Sequence, residues 1–376
     1  MPQIHAARRA RAQGKIAELG PDAALITSPP NVRYLTGLVS SNMALLLPAA
    51  EPGVLATDSR YEEAARRDCP DLELVTERFI EPALARLAAA RGLATVAFEA
   101  QEMTVEQHAE LAALDDGPVL VPLGRMVEEL RMVKDETEIA LLARACAITD
   151  EAFSAALRDV VPGRTERQFA VLLERAMIDV GAEAPAFDTI VASGPNGAIP
   201  HHAPADRPFT AGDLITIDCG ARYSGYHADM TRTVVLGEPA AWQRDIYELV
   251  ATAQRAGVEA ATVGADVSDV DAAARDLIEA EGYGGNFRHG LGHGIGLEVH
   301  EAPTIGYDRT GTLVDRVPVT IEPGIYLPGR GGVRIEDTLV VRDPRGGLGG
   351  SSPRADTDAA GSRQILTRTV RELLVL

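Results

Sequence analysis

The sequence predicts two domains, an amino-terminal α/β layer structure followed by a larger α+β structure. Its 376 residues exceed what one hydrophobic core usually organises. Residues 1–123 alternate short apolar runs with helical stretches, whereas residues 124–376 set helices beside longer runs that read as antiparallel strands.

In the first domain Ala6–Leu19 reads as a helix stopped by Gly20-Pro21, and Ala23–Thr27 as a short strand. Ala44–Leu47 and Val54–Thr57 are further strands, followed by a helix across Ser59–Cys69. Leu84–Arg91 is helical, Thr95–Phe98 extended, and Thr104–Leu114 helical. A boundary falls near Pro122–Gly124.

The second domain opens at Asp135-Glu-Thr-Glu138, a cap with a carboxylate three positions on, which starts a helix with apolar positions Ile139, Leu142, Cys146 and Phe153. Thr165-Glu-Arg-Gln168 opens a second helix in the same way. Strands follow at Asp188–Ala192, Leu214–Cys219, Ala228–Val235, Val317–Glu322 and Gly332–Val341, with helices near 240–260 and 267–281. Residues 343–363, rich in Gly, Ser, Pro and Asp, read as a surface loop, and Ile365–Leu376 as the segment that closes the domain.

Composition excludes several functions. A formal charge of −19 argues against nucleic-acid and anionic-membrane binding. No apolar run reaches the length of a membrane span, and Met1–Lys15 is basic without the apolar stretch of a signal peptide. Cys69, Cys146 and Cys219 are odd in number and far apart, which gives neither a disulfide framework nor a thiolate zinc site. A cytoplasmic enzyme is the simplest reading.

The informative residues are carboxylates in apolar strands. In Leu214–Cys219, alternation puts Ile215, Ile217 and Cys219 on one face, and Thr216 with Asp218 on the other. Asp229 shares a face with His227 and Thr231, and the turn material Arg222–Gly225 suits a hairpin that brings the two aspartates together. Glu322 ends one apolar strand, and Glu336 lies on a face with Arg334 in another. Any one could be an edge residue, but four together need cationic partners, and lysines are few. The run Phe287–Gly296 has too many glycines for a helix and presents His293 at close backbone approach. Four carboxylates balance two divalent ions, leaving His293 neutral. Oxygen ligands with one imidazole suit Mn²⁺, Co²⁺ or Zn²⁺. Cys219, on the opposite face from Asp218, is not a ligand.

The residues Asp218, Asp229, His293, Glu322 and Glu336, in that order, resemble the ligand set of the pita-bread metallopeptidases, which include methionine aminopeptidase, aminopeptidase P and prolidase. The most specific stretches are Gly292–Glu301, Glu322-Pro-Gly-Ile-Tyr326 and Gly332–Asp337. Asn31–Gly37 resembles the opening of the amino-terminal domain of the proline-specific branch, and Leu130–Lys134 with Glu138-Ile139 its interdomain helix. The resemblance implies a pita-bread α+β catalytic domain behind a creatinase/prolidase-like α/β domain that serves dimerisation and substrate-length control. It implies that Asp218 ligates one ion, Asp229 and Glu336 bridge both, and His293 and Glu322 complete the second. Glu322 would also accept a proton, and His201 and His300 would contact the substrate amide and the tetrahedral intermediate. His289, Arg334 and Tyr326 would line the leaving-group side, with Arg334 orienting Glu336.

The same resemblance implies a homodimeric Xaa-Pro dipeptidase acting on dipeptides or short peptides, with aminopeptidase P as the alternative. Some prolidases carry an arginine where this chain has Thr304, and Arg330 or a partner's Arg33 would have to substitute for it. A metal-free hydrolase of the creatinase kind and a noncatalytic binding protein are two further classes on this fold. The complete ligand set and the retained histidines weigh against both.

Overall fold

The apolar runs Ala23–Ile26, Met43–Pro48 and Val54–Thr57 become fully buried strands in the amino-terminal unit. The computed structural model describes residues 2–345, 358 and 361–376, and the chain packs as two units, Met1–Arg131 and Met132–Leu376. The first unit begins with α1 (Pro2–Leu19), β1 (Ala23–Ile26), α2 (Pro29–Thr36), β2 (Met43–Pro48) and β3 (Val54–Thr57). It continues through α3 (Glu62–Asp68), β4 (Glu73–Thr76), α4 (Ile80–Ala90), β5 (Thr95–Phe98), α5 (Val105–Ala112), β6 (Val119–Pro122) and α6 (Met126–Met132). The strands form one six-stranded sheet in the order β4-β3-β2-β1-β5-β6. The β1–β5, β5–β6 and β3–β4 pairs are parallel and the other two antiparallel.

Three of these elements gave weak signals. Helix α2 starts on Pro29-Pro30, which reads as a breaker but is compatible with a first turn. It ends at Gly37, whose φ of 83° lets its N–H reach the Arg33 carbonyl. Strands β4 and β6 lie at the two sheet edges; β4 keeps only Leu74-Val75 apolar, and β6 is a short apolar run bracketed by Pro118 and Pro122.

The second unit opens with α7 (Glu136–Ala156) and α8 (Glu166–Val180), then β7 (Ala184–Pro185), β8 (Ile190–Ser193), β9 (Leu214–Cys219), β10 (Ala221–Tyr223), β11 (Tyr226–His227) and β12 (Met230–Val235). Next come α9 (Ala241–Ala260), α10 (Val267–Ala280), β13 (Gly292–Gly294), β14 (Glu301–Ile305), β15 (Pro318–Ile321), β16 (Gly324–Leu327), β17 (Gly331–Arg334), β18 (Asp337–Val341) and β19 (Arg363–Ile365). Both expected capping boxes are formed, Asp135 with Glu138 and Thr165 with Gln168. The stretch resembling the interdomain helix spans the end of α6 and the start of α7. Asp135, extended at φ −80° and ψ 169°, caps α7 and so breaks it from α6.

Two helix pairs cover the strands. Phe153, Phe169, Leu173 and Met177 of α7 and α8 pack on Ile215, Ile217 and Met230. Ile246, Val250, Val270 and Ile278 of α9 and α10 pack on Val319, Ile321, Val333 and Leu339. The tail docks beside β12 through Val235 N–H to the Leu374 carbonyl (2.9 Å) and Leu376 N–H to the Val235 carbonyl (2.9 Å). The expected loop at 343–363 lies largely outside the described residues. No helix among the described residues is long and apolar enough to cross a membrane.

The continuous strand expected over Gly332–Val341 is interrupted at Ile335-Glu336, because β17 pairs with β16 while β18 pairs with β15. Glu336 therefore sits where the chain changes sheets.

Candidate active site

Asp218 and Asp229 come from the expected hairpin, in which β9 and β12 pair antiparallel with Asp218 opposite Thr231. Thr216 and Thr233 touch at 3.2 Å on the same polar face. Ile215, Ile217 and Cys219 are buried in the apolar cluster behind it. Burial pushes the Cys219 thiol well above its ordinary range, so it offers no thiolate.

His293 reaches the site because its glycine neighbours let β13 pass between two strands. A Cβ on Gly292 would stand 1.9 Å from the Thr320 carbonyl oxygen, and one on Gly294 2.1 Å from that of Ala302. Glu322 follows β15, with its N–H bonded to the Leu291 carbonyl at 2.8 Å. His293 Nε2 lies 3.3 Å from Glu322 Oε1 and 3.7 Å from Asp229 Oδ2. Glu336 is anchored by its N–H to the Thr231 carbonyl at 3.1 Å and by Thr231 Oγ1, which donates to Oε2 at 2.7 Å.

Electrostatics mark this as an anionic cage. Burial, reinforced by neighbouring carboxylates, raises Asp229 and Glu336 well above the usual carboxyl range and also raises Asp218. Glu322 is the exception. Burial alone would raise it, but hydrogen bonding and charge from His293 hold it down at about 2. Burial opposes protonation of His293, yet its contact with Glu322 raises its pKa.

The donor set fits divalent cations. Asp229, His293 and Glu336 each offer a ligand atom within 4.8 Å of the others. Asp218 Oδ1 is buried and accepts from no donor among the described residues. A cation satisfies that oxygen and relieves the crowding that protonates the neighbouring carboxyls.

Arg334 is almost fully buried, and its nearest anion is not the expected one. Nη2 donates to Asp218 Oδ2 at 2.7 Å, and Nε donates to Thr231 Oγ1 at 3.0 Å. Its hydrogen-bonded link to Glu336 runs through Thr231, while its charge also acts on that carboxylate. Arg334 Nη1 also donates to Tyr326 Oη at 2.9 Å, and that hydroxyl lies 2.9 Å from His289 Nε2. Burial lowers the pKa of both His289 and His300, keeping them neutral near pH 7. The His300 ring stands 4.3 Å from that of His293, edge to face, and His201 lies near enough for its charge to act on His300. All ten expected site residues therefore converge on one region of the second unit. The role of Thr231 was missed, although its face pointed to it. Residues Asp271 and Arg275, beneath the His289 loop, gave no signal beyond an ordinary i,i+4 helical pair.

Fold and site together define a metal-dependent peptidase carrying a separate amino-terminal α/β domain. The sequence model of metallopeptidase family M24 matches residues 140–343, and that of the creatinase/prolidase N-terminal domain matches residues 8–133. This chain belongs to metallopeptidase family M24, with the pita-bread catalytic domain, and its site binds divalent metal. A curated relative, the Xaa-Pro dipeptidase of Pyrococcus furiosus, is 45% identical over 250 residues, 66% of this chain and 67% of that one. Among solved structures, the Xaa-Pro dipeptidase from Bacillus anthracis superposes with a TM-score of 0.91 at 33% identity, covering 99% of this chain and 100% of the other. An X-Pro aminopeptidase from Thermotoga maritima gives 0.85 at 33% identity, covering 96% and 99%.

Proposed function

We propose that this chain is an Xaa-Pro dipeptidase holding about two divalent ions. The observation that carries the metal assignment is the convergence of four carboxylates and His293 around an Asp218 oxygen with no donor among the described residues. In this reading Asp218 would serve one ion, His293 and Glu322 the other, and Asp229 and Glu336 would be shared by both. Mn²⁺ is the natural occupant of an oxygen-rich set with one imidazole. Metal bound there would supply Lewis acidity, lowering the pKa of a bound water toward neutral and polarising the scissile carbonyl.

The chain's own residues do the rest. Glu322, ionised across the working pH range, receives the proton of the attacking water. His201 and His300, both on the exposed rim of the site, hydrogen-bond the substrate amide and the oxygen that gains charge. His289, Tyr326 and Arg334, joined through the tyrosine hydroxyl, form the wall on the leaving-group side. Proline has no N–H, so that wall recognises shape and the carbonyl flanks rather than an amide donor.

One observation favours the neighbouring activity, release of the first residue from longer Xaa-Pro peptides. Thr304 pairs directly opposite His293 in the β13–β14 register, so no guanidinium extends from that position toward a dipeptide's carboxylate. The amino-terminal unit then becomes the source of length control, within a cytoplasmic homodimer. Rates on Ala-Pro, Leu-Pro and Xaa-Pro-Yaa tripeptides with added Mn²⁺ separate the readings. The dipeptidase reading expects dipeptide cleavage to dominate. Efficient tripeptide cleavage with inert dipeptides overturns it.

A further inference from the structure

Helix α10 carries a buried ion pair that the proposed reaction does not use. Asp271 is fully buried and Arg275 nearly so. Arg275 donates to the carboxylate twice, Nε to Oδ2 at 2.6 Å and Nη2 to Oδ1 at 2.8 Å. Acid–arginine pairs four residues apart on a helix usually lie in solvent and contribute little. Buried, such a pair persists only if its remaining donors and acceptors are satisfied.

Here a single segment satisfies them. Arg275 Nη1 donates to the Phe287 carbonyl at 2.9 Å, and Nη2 donates to the His289 carbonyl at 2.7 Å. On the far side Asp271 Oδ1 accepts the Leu291 N–H at 3.0 Å. The guanidinium also stacks on the Phe287 ring, 4.1 Å from its centroid. Backbone groups at every second residue from 287 to 291 are therefore gripped by the pair. The buried Phe287 and Leu291 side chains and the Glu322 N–H to Leu291 carbonyl bond fix the two ends of the segment, whereas at Gly290, where a Cβ would stand 2.6 Å from the Ile305 carbonyl oxygen, no side chain can pack. His289 is the residue at its centre, held by its carbonyl below and by the Tyr326 hydroxyl at its ring.

We propose that Asp271 and Arg275 are positioning residues that set His289 against the leaving-group side of the substrate. The proposal rests on the assignment of His289 above. A planar, forked donor is needed, because one guanidinium must serve a carboxylate and two carbonyls at once, and an ammonium cannot keep that geometry.

The test is Arg275→Lys in the metal-loaded enzyme, alone and combined with His289→Ala. Acting through His289, Arg275→Lys raises KM roughly tenfold with kcat within about threefold, and its effect disappears in the His289→Ala background. Equal effects in both backgrounds, or an unchanged KM, overturn the proposal. If Arg275→Lys does not fold, Asp271→Asn, which keeps an oxygen for Leu291, goes through the same cycle. A second readout needs neither variant nor activity. In the wild-type protein the Leu291 amide must exchange hydrogen far more slowly than an open loop amide, and fast exchange there also overturns the proposal. Wild-type inactivity on Xaa-Pro peptides would remove the substrate reading alone and leave the exchange test standing.

Discussion

Arg334 grips Asp218 directly, Nη2 to Oδ2 at 2.7 Å, and its hydrogen-bonded link to Glu336 passes through the hydroxyl of Thr231. One buried cation thereby organises two carboxylates from distant parts of the chain. Thr231→Val keeps the shape and removes that relay, leaving Arg334 Nε and Glu336 Oε2 each short of a partner. The expected result is a loss of about 1–3 kcal/mol in stability and a roughly tenfold drop in kcat/KM. Thr231→Ser should restore both. Denaturant unfolding and steady-state kinetics on the three proteins check this.

Asp229→Asn withdraws a charge from the centre of the cage without changing its volume. Activity should fall by about a hundredfold or more, together with a loss of bound metal. Metal analysis after gel filtration, alongside circular dichroism to show an intact fold, makes the comparison. A variant with wild-type turnover contradicts the assignment of Asp229.

The metal-free protein should lose stability as pH rises. Asp229 and Glu336 are raised well above the usual carboxyl range by burial and neighbouring charges. Between about pH 4, where unfolded carboxyls ionise, and those raised values the folded chain binds more protons, so stability falls with pH. His293, also raised, contributes fully below about pH 6.5 and loses that contribution as pH rises through its folded value. Glu322, held at about 2, adds stability that is lost only in acid, below this window. Lowered His289 and His300 pull the other way only up to about pH 6.5, so from about pH 6.5 to 8 the chelated protein's Tm should drop, and saturating Mn²⁺ should reverse the drop. A chelated Tm that climbs over the same interval contradicts the cage electrostatics.

The two adjacent histidines should separate cleanly. His202 Nε2 lies 2.8 Å from Glu166 Oε2, and Glu166 is fully buried and also accepts from Ser193, Asn196 and the Ala205 N–H. His202 is thus part of the support of its loop, whereas His201 is exposed beside His300. His201→Ala should cost about a hundredfold in kcat, and His202→Asn no more than about threefold. Equal losses in the two kinetic assays would count against the distinction.

Much of this was legible in the sequence because the site is built from local patterns. Strand alternation placed Asp218 opposite the core side of Cys219, and the glycines around His293 announced a close backbone approach. What stayed hidden depends on partners distant in sequence. Nothing near Thr231 reveals that Glu336 and Arg334 meet on its hydroxyl, since both arrive from more than a hundred residues away. Asp271 and Arg275 look like a solvated helical pair until the 287–291 segment closes over them. The break at Ile335-Glu336 was likewise invisible, because β17 and β18 are each apolar and extended and only their different partners part them. Edge strands β4 and β6 escaped for another reason, since β4 carries only two apolar residues and the apolar β6 is bracketed by Pro118 and Pro122.

Titrating Mn²⁺ into chelated protein, while following Ala-Pro hydrolysis and bound metal together, decides whether the carboxylate cage is a two-ion catalytic centre. A two-ion centre gives no hydrolysis without metal and activity that rises to a plateau at about two ions per chain. Full hydrolysis by metal-free protein would contradict it.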